Sequence, residues 1–324
     1  LHLLSRRQRQ MCIRDRPRML PIIQSTTFKY DTTEEMGRLF DLKDEGYFYT
    51  RVQNPTNDMV AAKIADLEGG VAALLTSSGQ AANFYAALNL CEAGDHLIST
   101  STIYGGTFNL FAVTFKKMGI DCTFVAPDDS EEEIAKEFRP NTKFVFGETI
   151  ANPALTILDI EKFAKLAHDH HVPLIVDNTF ATPVNCQPIQ WGADIVTHST
   201  TKYMDGHAAQ VGGVIVDSGN FDWDANADKF PGLTTPDESY HGLIYTKSFG
   251  KKAYITKATV TLMRDLGSIP APMNSFILNL GLESMPLRVE RHCYNAQKVA
   301  EYLIAHEKVS GVNYAGLPQD KYYE

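Results

Sequence analysis

The sequence predicts an α/β fold: a mostly parallel, seven-stranded sheet with helices on both faces, followed by the start of a smaller C-terminal domain. Three observations lead there. Between residues 61 and 263, short apolar runs alternate with amphipathic stretches, which is the pattern of strand–helix–strand units. Several runs are β-branched and apolar at consecutive positions, as strands covered on both faces must be. After about Arg264 the alternation stops, and residues 275–307 carry a helical pattern divided at Pro286.

Taken in order, residues 17–60 hold Pro17, Pro21 and Pro55 and read as an extended N-terminal arm. The candidate strands are Ala72–Thr76, His96–Thr100, Cys122–Val125, Lys143–Gly147, Leu174–Val176, Asp194–Thr197 and Gly213–Val216. The helices between them are Asp58–Leu67, Ala81–Leu90, Thr107–Met118, Glu131–Phe138 and Ile160–His170. Asp159 is placed to cap the last of these. Ile160, Phe163, Ala164 and Ala167 then share one stripe, and Pro173 follows the end. The acidic run Asp128–Glu133 reads as a helix N-terminus with a solvated face. Residues 264–324 are expected to be the start of an incomplete small domain, with an apolar helix face left uncovered.

Composition narrows the function. The 324 residues carry a formal charge of −9, which disfavours nucleic acid and anionic membrane as partners and leaves a small-molecule substrate or a protein. No apolar run is long enough to span a bilayer. The five cysteines (Cys12, Cys91, Cys122, Cys186, Cys293) are scattered without a CxxC pair, which fits a reducing cytoplasm and no zinc site. His168, His170 and His171 sit at a helix C-terminus, where the dipole favours cations, so no metal is expected. The basic start lacks the apolar segment of a secretory signal. Its string RRQRQMCIRDR resembles translated sequencing adapter, so residues 1–16 are expected not to be natural sequence. An Arg-rich transit peptide is the alternative.

In a parallel sheet, ligands sit beyond the carboxyl ends of the strands, and four candidate strand ends are polar. Ser77-Ser78-Gly79-Gln80 opens a helix, where free N–H groups make an anion site; a tight turn accounts for it equally well. Asp177 ends an apolar strand and should face a cation or a donor, or else cap the next loop. Ser199, Thr200, Thr201 and Lys202 place hydroxyls beside an amine, a set suited to a phosphorylated aldehyde cofactor. Tyr104 follows a strand and could stack on a planar group or simply pack.

The order SSGQAA, IYGGT, ETIANP, VDNTF, HSTTKY resembles the Cys/Met-metabolism family of pyridoxal-phosphate (PLP) enzymes, of fold type I, like aspartate aminotransferase. The segments YFYTRVQNPTND, KFPGLTTPDESYHG and AYITKA resemble its O-acetylhomoserine sulfhydrylase branch. The resemblance implies that Lys202 holds PLP as a Schiff base and shuttles protons. It implies that Asp177 pairs with the pyridine nitrogen, that Tyr104 stacks on the ring, and that Lys202, Tyr104 and Asp177 form the catalytic set. Asn152 matches the donor near the phenolic oxygen. Ser78, Gly79, Gln80, Ser199 and Thr201 match the phosphate cup. Tyr49 and Arg51 match a pair that reaches a neighbouring subunit's phosphate, so a dimer or tetramer with shared sites is implied. The implied reaction replaces the γ-acetate of O-acetylhomoserine with sulfide or a thiol. The alternatives are a cystathionine γ-synthase, a methionine γ-lyase, or a PLP-binding fragment without turnover. No glycine-rich dinucleotide fingerprint follows a strand, which argues against a dehydrogenase.

Overall fold

The computed structural model describes residues 18–323; the reading of residues 1–16 lies outside them. One sheet contains β1 (Ala72–Thr76), β2 (His96–Thr100), β3 (Asp121–Val125), β4 (Thr142–Glu148), β5 (Leu174–Asp177), β6 (Ile195–Ser199) and β7 (Gly213–Asp217). Their spatial order is β1–β7–β6–β5–β4–β2–β3. β7 is antiparallel to both of its neighbours, and all other pairs are parallel. The expected mostly parallel seven-stranded sheet is therefore present.

Alternation along the strands divides the core in two. In β6, Ile195 faces one cluster and Val196 the other; in β7, Ile215 faces the first, with Val214 and Val216 facing the second. Successive side chains leave a strand on opposite faces, so both faces must be covered. The first cluster is aromatic, with Phe111, Phe115, Phe144, Phe146 and Phe163 buried. The second gathers Val60 and Ile64 of α2 (Pro55–Glu68), together with Leu278, Leu282, Met285 and Val289.

Local caps agree with the sequence where a polar side chain sets the helix start. α3 (Gly79–Leu88) is capped by Ser78, whose hydroxyl accepts from Ala81 N. After α4 (Gly105–Asn109), α5 (Glu131–Ala135) begins with a reciprocal Ser130–Glu133 capping box. α6 (Ile160–Asp169) is capped by Asp159.

Three elements differ from expectation. The arm contains a helix, α1 (Thr33–Phe40), whose cap Thr32 accepts from Glu35 N; its sequence, TTEE, is itself a capping signal. The helix expected over Thr107–Met118 starts at Gly105 and widens to a π-helical turn over Leu110–Phe115. In that turn Leu110, Phe111 and Phe115 are all buried against the sheet. The helices expected on either side of Pro286 are a single helix, α7 (Pro272–Ile304). Pro286 removes one amide donor. Leu282, Met285 and Val289 on both sides of it are nonetheless buried in the same cluster, and that packing holds the axis. Further along, Leu287 and Tyr302 are 72% and 66% exposed.

Candidate active site

The sheet register assembles the site. Thr76 and Ser199 both lie opposite Gly213, from either side of β7. The turn after β1 is thereby set against the turn after β6. The approach is close enough to require glycine: a Cβ at Gly213 would lie 2.2 Å from the Ser78 carbonyl oxygen, and one at Gly79 would lie 2.5 Å from Ser199 Cβ. Ser78 spends its hydroxyl on Ala81 N, and the N–H groups of Gly79 and Gln80 have no acceptor among the described residues. They leave an anion cradle at the positive end of a ten-residue helix.

Asp177 stands one strand over. Its Oδ1 accepts from Thr179 N and from the Thr179 hydroxyl, and its Oδ2 accepts from Asn83 Nδ2 at 3.1 Å. The Thr179 hydroxyl oxygen also accepts from Ser199 N at 2.8 Å, so the strand-end carboxylate and the β6 turn are tied together. Lys202 follows on the exposed side, its N–H bonded to the Ser199 carbonyl oxygen at 3.3 Å. Its amine has no hydrogen-bond or ion-pair partner among the described residues. Thr201 is engaged with the backbone of Gly212, both donating and accepting. Gln80 donates to the Gly106 carbonyl oxygen, which ties the cradle to the start of α4.

Tyr104 and Asn152 come from different loops and meet through Glu148. Tyr104 N donates to Glu148 Oε1 at 2.7 Å, and Asn152 N donates to Oε2 at 3.2 Å. Glu148 is the last residue of β4, opposite Asp177 in register. Burial, and then the Asp177 carboxylate beside it, push the Glu148 carboxyl up to about 8, against the two backbone N–H bonds that favour its charge. The Tyr104 ring is 51% exposed.

Tyr49 and Arg51 are not drawn into this cluster. The Arg51 guanidinium lies 5.2 Å from the Tyr49 ring centre and donates to the Arg264 carbonyl oxygen, and both side chains are exposed. The three histidines also lie apart from it. His168 Nε2 donates to Asp194 Oδ2 at 2.8 Å, a contact that raises its pKa, and His170 stacks on Phe138 at 3.9 Å.

Sequence reasoning assigned no role to Asn83, Thr179 or Glu148. Asn83 had a signal, being a carboxamide set among the apolar residues Ala81–Leu88 of α3. It is buried, accepting from the Thr197 hydroxyl as it donates to Asp177. Thr179 follows Asp177 at the spacing of an Asx turn. Glu148 had none beyond its place at a strand end.

Together the cradle, the unpaired amine and the strand-end carboxylate fit a cofactor that carries a phosphate, an aldehyde and a basic ring nitrogen. A sequence model of the family described as Cys/Met metabolism PLP-dependent enzyme matches residues 5–324. The chain is 47% identical over 309 residues to a homocysteine/cysteine synthase of Kluyveromyces lactis, covering 95% of this chain and 69% of that protein. It is 45% identical over 314 residues to an O-acetyl-L-homoserine sulfhydrylase of Leptospira meyeri, covering 94% and 70%. A solved structure from Campylobacter jejuni, assigned as an O-acetylhomoserine (thiol)-lyase and containing a pyridoxyl-lysine phosphate, superposes with a TM-score of 0.91. That match is 36% identical and covers 95% of this chain and 76% of the other.

Proposed function

The chain belongs to the Cys/Met-metabolism family of PLP-dependent enzymes, and from that premise we propose that it exchanges the γ-acetate of O-acetylhomoserine for sulfide, giving homocysteine and acetate. The observation that carries this reading is the register that sets the Gly79–Gln80 amides against Ser199–Lys202, with Asp177 alongside. The relatives named for that reaction support the choice of substrate.

When bound, PLP supplies an electron sink that lets protons leave the substrate's Cα and Cβ and the γ-acetate depart. Lys202 would hold the cofactor through its amine and would move the proton at the substrate's Cα. Asp177 holds a proton at the ring nitrogen. Asn83 and Thr179 keep its carboxylate aimed. The Gly79 and Gln80 amides and the Ser199 hydroxyl bind phosphate; the Ser78 hydroxyl, an acceptor for Ala81 N, has its proton left to donate there, and Thr201 joins them by turning its proton away from the Gly212 carbonyl oxygen. Tyr104 covers one ring face, and Asn152 donates to the phenolic oxygen. These are small-molecule tasks, and among the described residues no helix is long and apolar enough to cross a membrane. The four described cysteines are all free, which supports a cytoplasmic location.

The test is product analysis with O-acetylhomoserine. Sulfide should give homocysteine and acetate. Cystathionine formed preferentially from added cysteine would make the protein a cystathionine γ-synthase, and 2-oxobutyrate formed without a nucleophile would make it a γ-lyase.

Arg51 and Tyr49 are proposed to serve the phosphate of a neighbouring subunit in a homo-oligomer; the pair is exposed, and the bond to the Arg264 carbonyl oxygen leaves the guanidinium further donors to offer. Arg51→Ala should then weaken PLP retention without unfolding the chain. Mixing Arg51→Ala with Lys202→Ala chains should restore activity, because one site of each mixed dimer keeps both residues. No recovery in verified mixed dimers would place Arg51 in its own chain's chemistry.

A further inference from the structure

Tyr104 and Asn152 share an unusual situation. Neither side chain has a hydrogen-bond partner of its own among the described residues. Tyr104 starts α4 without a side-chain cap. Asn152 sits in the turn that follows β4. Each therefore depends on its backbone for position, and each backbone N–H donates to the same carboxyl group. Glu148 is 7% exposed, and burying a carboxyl group costs several kcal/mol unless its oxygens are bonded. Here Oε1 takes the Tyr104 N–H and Oε2 the Asn152 N–H. One rigid strand end thus fixes two loop residues that are 48 positions apart (152 − 104).

We propose that Glu148 is a positioning residue for the cofactor, its two oxygens jointly setting the Tyr104 ring and the Asn152 carboxamide around the bound PLP. The inference rests on the functional reading above, which assigns Tyr104 and Asn152 to the ring face and the phenolic oxygen. The geometry suits that task better than a purely structural one. A structural carboxylate would need only to be satisfied. This one is satisfied by the two segments that carry otherwise unanchored side chains at the same strand edge. It also lies opposite Asp177 in register, so the ring nitrogen's partner and the tether of the ring's other contacts belong to adjacent strand ends. A change at Glu148 should alter the environment of the bound ring while leaving the phosphate cradle of Gly79 and Gln80 intact.

The test is Glu148→Gln in the PLP-loaded protein. An amide offers one acceptor oxygen and turns an N–H₂ towards the second backbone N–H, so one loop must swing away. The expected result is near-normal PLP content and an altered visible circular dichroism of the bound cofactor. Turnover should fall about ten- to a hundredfold, the size of one buried hydrogen bond lost with its donor left unpaired. Combined with Asn152→Ala, the effect of Glu148→Gln should be smaller than in the parent, because part of what it disturbs is already gone. Should Glu148→Gln fail to fold, Glu148→Asp keeps the carboxyl group but shortens its reach, and the same dichroic change is expected from it. Unchanged dichroism and turnover, or an undiminished effect in the Asn152→Ala background, would overturn the proposal. A parent chain that takes up no PLP would instead refute the functional reading, so the two failures are separable.

Discussion

Lys202→Ala is expected to abolish covalent PLP attachment and with it all turnover of O-acetylhomoserine. The reason is chemical: only a primary amine condenses with the cofactor's aldehyde. The structure leaves this amine without a competing carboxylate or hydrogen bond among the described residues. The fold should survive, since Lys202 is exposed and contributes only its backbone to the turn, through bonds to Ser199 and Gly206. Borohydride reduction followed by peptide mass spectrometry checks the claim. The parent should carry a pyridoxyl group at Lys202, and the variant none. A pyridoxyl adduct on another lysine of an active variant would refute the assignment. PLP held non-covalently by the variant would not, because the phosphate cradle remains.

Asp177→Asn is expected to cost about three decades in rate, or roughly 4 kcal/mol of barrier. A neutral carboxamide cannot hold the proton at the ring nitrogen, and the negative charge developing at Cα then loses its sink. A local cost accompanies the catalytic one. Both Asp177 oxygens accept hydrogen bonds, from Asn83 and from Thr179. The amide nitrogen of Asn must therefore face a donor on one side, worth about 1–3 kcal/mol of stability. The two effects separate experimentally, one read from kcat at saturating PLP and the other from thermal unfolding. Near-normal kcat would show that Asp177 serves only the loop.

How much of this was legible before the structure depends on the range of the interaction. β1 and β2 are where the apolar runs placed them, at Ala72–Thr76 and His96–Thr100. β4, β5 and β7 run one residue past the expected end, because hydrogen bonding to a neighbour continues past the last apolar side chain; β3 and β4 begin one residue earlier; and β6 is shifted, starting at Ile195 instead of the expected Asp194 and running on to Ser199. In β5 and β6 the added residues include Asp177, His198 and Ser199, polar at the edge where the site forms. Asp159 and the Ser130–Glu133 box were readable as caps because a cap is settled within four residues. Thr32–Glu35 carries the same signal, inside a segment that Pro17, Pro21 and Pro55 made read as extended.

Pro286 shows the converse. A rule about backbone donors predicts a break there, yet Leu278, Leu282, Met285 and Val289 keep α7 continuous by packing into one cluster. The loss of one helical hydrogen bond is smaller than the burial of four large side chains at about 1.5–3 kcal/mol each.

What the sequence determined by itself is therefore everything local or periodic: the α/β alternation, the caps, and the polar residues waiting at strand ends. What only the tertiary structure decided is which of those residues face one another. Gly213 brings Ser78 and Ser199 together from strands more than a hundred residues apart, Asn83 reaches across to Asp177, and Glu148 gathers Tyr104 and Asn152. The physical reason is that strand order and register are set by burying both faces of the sheet at once. That is a global condition, which no single segment of the chain carries.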